Sequence, residues 1–326
     1  VTPLESDAVK CLPKLPGVTT ITGNDVDTFR NFASFKEISA IVWISPGNVK
    51  CLEELVTSCP ITWLHSFSAG VDHIGPFIKQ YLQGTDIVLT NGRGAFSNSL
   101  AEYVMAGALY FNKQWARSQE NKRLKKWDKF VMPQLDGKTM GFVGFGHIAK
   151  VTAKIAKHGF NMKVIALRRN PNKDDHDGLV ETTFGYENKL ELFKQSDFVV
   201  CVLPGTPETQ DFVSKAEFAA MKSDSVFISI GRGAAVDEAA LLDALNTGSI
   251  AGAALDVFKQ EPMPPENPLW EAPNLHITAH NADLTHDYFE LGWEIWRKNL
   301  DAFKSGKHAR DGGAAMYTPV DKAAGY

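Results

Sequence analysis

Between residues 139 and 280, short apolar runs alternate with stretches of helical period. The runs fall at 140–143, 164–167, 198–203, 226–230, 250–255 and 276–278. The first five do not alternate polar with apolar at every second residue, so each is expected to be buried on both faces. Helices are expected after Gly146, around 187–195, over 214–221 and over 237–246. Ser214-Lys-Ala-Glu217 has the form of a capping box, and Asp237 suits an N-cap. Such an alternation predicts an α/β fold, a doubly wound parallel sheet covered by helices on both sides.

A weaker version of the pattern runs through 18–98, with strand-like segments at 40–44, 61–65 and 87–90 and a helical stretch over 49–58. It predicts a second, smaller α/β domain. Ser99-Leu-Ala-Glu102 reads as another capping box, opening an apolar helix that runs to about Trp115 and makes a natural hinge. The last helical run, 284–304, follows the final strand of the larger domain and is expected to cross back to the smaller one. The predicted organisation is therefore one discontinuous domain from both chain ends, 1–98 plus 285–326, and one continuous domain, 99–284. The Gly/Ala-rich tail, 311–326, is expected to lie along the surface.

Composition adds limits. The chain has 326 residues, 44% hydrophobic and 22% charged, with a formal net charge of -4. That is enough for two globular domains and gives no electrostatic reason to expect a nucleic-acid partner. The one basic cluster, Lys122-Arg-Leu-Lys-Lys-Trp127 with Trp115 nearby, reads as a solvated helix end. The longest apolar run, from Tyr103 to Phe111, is nine residues and cannot span a bilayer, so no membrane partner is expected. No basic-then-apolar leader is visible. The four cysteines lack metal-ligand spacing. A reduced, cytoplasmic setting without a structural metal is the expectation.

The segment Gly141-Phe-Val-Gly144-Phe-Gly146-His-Ile-Ala149 lies between a predicted strand and a predicted helix, which makes it a Rossmann-type dinucleotide turn. Gly144 permits the tight turn, and Gly146 lets backbone approach a pyrophosphate. His147 and Ile148 open the helix whose N-terminus would receive that anion. Arg168 and Arg169 follow the next strand, Arg168 standing 24 positions after Gly144. An acid at this place would bind an adenosine ribose. Two guanidinium groups favour a 2′-phosphate instead, so NADP(H) is expected to be preferred, with NAD(H) still accepted. The competing reading is a pair of surface arginines in a polar loop beside Lys173.

Three more segments are expected at carboxyl ends of large-domain strands, where ligands gather in such sheets. They are Ser229-Ile-Gly-Arg232, Ala254-Leu-Asp256-Val-Phe-Lys-Gln-Glu261 and Thr278-Ala-His280. An arginine, a carboxylate and a histidine form the set that a reductase of 2-keto acids needs: an anion grip, a proton donor and an acid to orient it. Taken singly, each has a plainer reading, as a structural arginine, a loop-capping glutamate or a satisfied buried histidine. His65 and His73 are weaker candidates, read as core or surface residues, and Trp293 and Trp296 are read as shaping a pocket or simply as core.

From about Trp63 to Lys304 the chain resembles the D-isomer-specific 2-hydroxyacid dehydrogenase family, and within it the glyoxylate/hydroxypyruvate reductase branch. The likeness includes Ser68-Ala-Gly-Val-Asp72, Thr90-Asn-Gly-Arg-Gly94, the glycine turn, Leu203-Pro-Gly-Thr-Pro-Glu-Thr209 and the three segments above. The resemblance implies a flavodoxin-like substrate domain beside the Rossmann domain, and homodimerisation. It implies that Arg232 grips the carbonyl and carboxylate of a small 2-keto acid, that His280 donates a proton to the carbonyl oxygen, and that Glu261 fixes the imidazole. Backbone N–H groups of Ala69, Gly70 and Val71 would bind the substrate carboxylate. Asp256 would meet the nicotinamide carboxamide; Leu203, Pro204, Thr209, Ile230 and Gly231 would line the cofactor cleft, with Ser97 reaching it from the hinge. The chain departs from the family pattern at Ala149, at Ala279 and at Asn281-Ala-Asp283, where an acid could change substrate preference. Glu261 argues against a formate dehydrogenase, and no extra cations mark a phosphoglycerate dehydrogenase. A dinucleotide-sensing scaffold of the co-repressor type is the alternative from another class.

Overall fold

The computed structural model describes residues 1–172, 177–309, 313 and 315–326. Lys173 and the start of the predicted tail lie outside the described residues. Two compact units are present: Val1–Phe96 with Thr285–Tyr326, and Ser97–Leu284.

The first unit carries a parallel sheet of three strands, β1 (Ala40–Trp43), β2 (Trp63–Ser66) and β3 (Val88–Asn91), in that spatial order. Helix α1 (Val49–Ser58) links β1 to β2, and its N-cap Asn48 accepts a hydrogen bond from Lys50 N. Its apolar stripe, Cys51, Leu52 and Leu55, is buried against the sheet residues Ile41 and Leu64 and against Leu89.

The second unit begins with α2 (Ser97–Asn112) and α3 (Trp115–Arg123), separated by Gln114 at φ 50°. The single long helix expected to about Trp115 is thus interrupted. It also starts two residues earlier than the Ser99 box implied. Ser99 lies within its first turn and donates instead to Ala282 O, 2.5 Å away. The basic stretch at the end of α3 is solvated, and Trp127 is 93% exposed.

Seven parallel strands follow, β4 (Thr139–Val143), β5 (Lys163–Leu167), β6 (Thr182–Phe184), β7 (Phe198–Cys201), β8 (Val226–Ser229), β9 (Gly252–Leu255) and β10 (Leu275–Ile277). Their spatial order is β10-β9-β8-β7-β4-β5-β6. Helices α4 (His147–Phe160), α5 (Lys189–Gln195), α6 (Lys215–Ala220) and α7 (Glu238–Asn246) connect them. Strand periodicity sorts the side chains into two apolar layers. Phe142, Val164, Val200 and Ile228 pack with α2 and α4, while Leu167, Val199 and Phe227 pack with Leu192, Phe218 and Leu241 of the opposite helices. Both faces are buried, which explains why these strands read as unbroken apolar runs. Strand β6 was not expected: Thr-Thr-Phe is too short and polar to stand out, and it forms by edge pairing with Ile165–Leu167.

The chain then returns to the first unit as α8 (Tyr288–Lys304). Trp293 and Trp296 are buried there; the Trp296 ring stacks on Trp63 at 6.4 Å, and Trp293 N–H donates to Ala8 O. They are core. The tail departs from its surface expectation, because Asn91 N–H donates to Thr318 O and Val320 N–H to Leu89 O, which lays 318–320 along β3. No helix among the described residues is long and apolar enough to cross a membrane.

His73 stacks on Trp43 at 4.6 Å. His65 in β2 is fully buried. Trp63 Nε1–H donates to Thr90 Oγ1, which also lies 2.8 Å from His65 Nδ1. His65 Nε2 has no hydrogen-bond partner among the described residues. Burial lowers the His65 pKa to about 3. The neutral ring is therefore the folded form, and its contribution to stability is present above the unfolded value near 6.5 and lost as pH falls. We expect chemical denaturation to show the protein weakening by several kcal/mol, on the order of 4, between pH 7 and pH 4 from this group. A His65→Leu variant should lose that part of the pH dependence; an unchanged slope would refute the assignment.

Candidate active site

In the second unit, the strands adjacent to the reversal of order are β4 and β7, and a crevice at their carboxyl ends is where an open α/β sheet admits a ligand. The β4 end carries the glycine turn. Gly144 has φ +88°, and a Cβ there would stand 3.0 Å from Leu203 Cδ2, on the loop after β7. A side chain there would be strained by the backbone and crowded by Leu203. A Cβ on Gly146 would meet nothing within 4 Å, so the backbone beside the N-terminus of α4 opens onto space that a phosphate group could use. The first bond of α4 runs from Lys150 N to Gly146 O, so the N–H groups of the turn before it have no partner inside the helix. These features fit a dinucleotide pyrophosphate.

Around this turn, Ser97 Oγ lies 2.7 Å from His147 Nδ1 and ties α2 to the start of α4. Ile148 packs against the core on the α2 side. Leu203 and Ile230 are buried beside the crevice, and Pro204 O accepts a hydrogen bond from Thr209 Oγ1 at 2.6 Å. The Thr209 hydroxyl is thus spent inside its own loop, where it also caps Thr206. At the β5 end, the Arg168 guanidinium lies 5.9 Å from the Phe145 ring centroid, and Arg169 Nη1 lies 3.2 Å from Glu208 Oε2. Both cations stand at the strand end where the count from Gly144 set them.

The loops after β8, β9 and β10 are locked to one another by backbone. Gly233 packs so closely on Phe258 that a Cβ would collide with its carbonyl group, and Phe258 N–H donates to Glu261 Oε1 at 2.8 Å. Arg232, next to Gly233, bonds Gly231 O through Nη1 and lays its stem against Gly205. The other oxygen of Glu261, Oε2, lies 2.6 Å from His280 Nδ1. Both side chains of this pair are more than a third exposed, so ligand can reach them. A carboxylate only accepts, which puts the proton on Nδ1.

His280 sits at φ +52°, a left-handed conformation that favours glycine. Asp256 holds it there. The His280 N–H donates to Asp256 O at 2.8 Å, while Asn281 N–H, Ala282 N–H and the Thr278 hydroxyl donate to the Asp256 carboxylate at 3.1, 3.1 and 2.6 Å. Only 1% of Asp256 is exposed. Its carboxylate holds the histidine loop. Sequence reading missed Thr278 as part of this arrangement, and Tyr103, whose hydroxyl lies 2.8 Å from Thr278 Oγ1. No local motif announces a tyrosine 175 residues away from its partner.

In the first unit, the loop after β2 is pinned by Asn91 Nδ2, which donates to Ala69 O at 2.6 Å, and by Gly92 N–H, which donates to Ser68 O. The N–H groups of Ala69, Gly70 and Val71 donate to no backbone group among the described residues.

A phosphate-ready glycine turn, with an arginine and an ion-paired histidine on the other strand ends of one parallel sheet, defines a dinucleotide-dependent oxidoreductase. Comparison with known proteins narrows the class. Residues 105–282 match the family model of the D-isomer specific 2-hydroxyacid dehydrogenase, NAD binding domain. The chain belongs to the D-isomer specific 2-hydroxyacid dehydrogenase family. It is 35% identical to glyoxylate/hydroxypyruvate reductase B of Citrobacter koseri over 68% of each chain. It is 32% identical to glyoxylate reductase of Thermococcus litoralis, over 83% of this chain and 82% of the relative. Among solved structures, an NADPH-dependent glyoxylate/hydroxypyruvate reductase from Sinorhizobium meliloti, in complex with NADP and sulfate, matches with TM-score 0.73 and 27% identity, over 89% and 86% of the two chains.

Asp283 ends the histidine loop. Burial raises its pKa above the usual carboxylate range and the neighbouring Asp256 adds to this, while the His280 and Arg232 charges pull the other way. The folded state thus penalises the ionised form, so the group's contribution to stability is full below its unfolded pKa and is lost as pH rises through the folded value. We expect Asp283→Asn to raise the melting temperature at pH 7 and to leave it unchanged at pH 3.5. A variant equally stabilised at both pH values would contradict this origin.

Proposed function

We propose that the protein reduces a small 2-keto acid, glyoxylate or hydroxypyruvate or a close analogue, to the D-2-hydroxy acid with NADPH. The observation that carries the reading is the 2.6 Å contact between His280 Nδ1 and Glu261 Oε2 on the same sheet edge as Arg232 and the glycine turn. Formate oxidation releases no hydroxyl proton and has no use for such a pair. NADPH, when bound, supplies the hydride. The glycine turn, Leu203, Pro204, Ile230 and Gly231 are the groups assigned to hold it, with Arg168 and Arg169 at the 2′-phosphate.

The chain's own part follows from its charges. Arg232 neutralises the substrate carboxylate and polarises the carbonyl oxygen. Glu261 accepts a hydrogen bond from Nδ1–H and orients the ring, which leaves Nε2–H of the protonated ring to be given to the carbonyl oxygen as the carbon is reduced. Afterwards the neutral ring, still oriented by Glu261, recovers a proton from water. The four cysteines Cys11, Cys51, Cys59 and Cys201 are all free, which suits a reduced, cytoplasmic setting.

Loss of absorbance at 340 nm on mixing protein, NADPH and glyoxylate or hydroxypyruvate tests the reading. A flat trace with every small 2-keto acid would favour the scaffold of the co-repressor type. Replacing Arg168 and Arg169 together by alanine should raise KM for NADPH by about 10- to 100-fold, the worth of one or two charge-assisted bonds, and spare NADH. Equal effects on the two cofactors would sink the phosphate assignment. His280→Gln should cut kcat by about 10²- to 10⁴-fold while NADPH binding, followed by its fluorescence, stays unchanged. A variant with normal turnover would remove His280 from the reaction.

A further inference from the structure

Helix α2 supplies more than a hinge. Within the second unit three of its polar side chains reach the two functional loops: Ser97 contacts His147 at the glycine turn, Ser99 donates to Ala282 O, and Tyr103 meets Thr278. The last contact has a defined polarity. Thr278 Oγ1 lies 2.6 Å from Asp256 Oδ1 and 2.8 Å from the Tyr103 hydroxyl. Thr278 Oγ1 is the donor in both contacts, shared between the Asp256 carboxylate and the hydroxyl oxygen of Tyr103, which keeps its own proton. Burial raises the Tyr103 pKa to about 12, so that proton stays in place at any working pH.

The chain Tyr103–Thr278–Asp256 ends on the carboxylate that holds Asn281 N–H and Ala282 N–H, and on the residue whose carbonyl accepts from His280 N–H. His280 is kept at φ +52° by these bonds. A non-glycine residue in that region is strained, and it persists only where the surroundings over-determine it. Glu261 orients the ring, but the ring hangs from this backbone.

We propose that Tyr103 is a positioning residue for His280, acting through the Thr278 hydroxyl and the Asp256 carboxylate. It touches neither substrate nor cofactor in this role. Its hydroxyl oxygen accepts from Thr278 and holds that side chain in place beside the Asp256 carboxylate, whose oxygens bind the loop. The inference rests on His280 being the proton donor of the proposed reduction.

The test uses the full chain with NADPH and glyoxylate. Tyr103→Phe should lower kcat by about 10-fold, a fraction of what a placed general acid contributes, with KM for glyoxylate and the dissociation constant for NADPH within about twofold of the parent. Thr278→Val should be at least as slow, Thr278→Ser should recover most of the rate, and the double variant Tyr103→Phe/Thr278→Val should be no slower than Thr278→Val alone. A Tyr103→Phe protein with parental kcat, multiplicative losses in the double variant, or a serine variant as slow as the valine one would each overturn the proposal. A second readout needs no turnover. In histidine-labelled protein the His280 ring resonance, assigned by its absence from His280→Gln, should shift or broaden in Tyr103→Phe. Should the parent reduce no 2-keto acid while this resonance still responds, the functional reading fails and the positioning role stands; an unmoved resonance overturns the role itself.

Discussion

Seven strands running in one direction impose a single constraint on the second unit: all their carboxyl ends lie on one edge. Every polar group at issue in that unit hangs from this edge. The glycine turn follows β4, the arginine pair β5, the Leu203–Pro204 step β7, Arg232 β8, Asp256 β9 and His280 β10. An antiparallel sheet of the same residues would divide them between two edges. The price of parallel pairing is burial on both faces, and the two apolar layers around Phe142 and Leu167 meet it. Fold and site are in this sense one solution.

The central strands were legible because burial on both faces removes polar residues and leaves unbroken apolar runs. The turn at Gly144 was legible because φ +88° beside Leu203 favours glycine. What escaped has physical causes too. Strand β6 is an edge strand whose pairing comes from its neighbour rather than from its own composition. The start of α2 was misjudged because Ser99 and Glu102 have the spacing of a cap, while the Ser99 hydroxyl is claimed by Ala282 O, 183 residues away. The tail's contribution along β3 rests on backbone bonds from Asn91 and Val320, which any side chains of suitable size could make. Tyr103 and Thr278 escaped for the same reason, since contacts so distant in sequence leave no local pattern. The residues assigned to the chemistry carry their signal in type and position, whereas those that hold them do not.

Three acids close to the histidine loop show how environment divides the labour of one functional group. Asp256 is buried, and donors from three residues of the loop surround its carboxylate, so its negative charge is fully occupied in holding backbone. Glu261 is partly exposed and splits its oxygens, one on Phe258 N–H and one on the His280 ring, so the same carboxylate ties its own loop to the imidazole and fixes the geometry of both. Asp283 is raised above the ordinary carboxylate range by burial, despite two cations nearby. It is therefore the acid whose charge is least well supported. A substrate bringing a second carboxylate toward it would add repulsion to an already penalised anion, whereas one bringing a hydroxyl could offer it a proton to accept. The loop that carries His280 thus also carries this penalised acid, and the backbone of both hangs from the same Asp256 anchor.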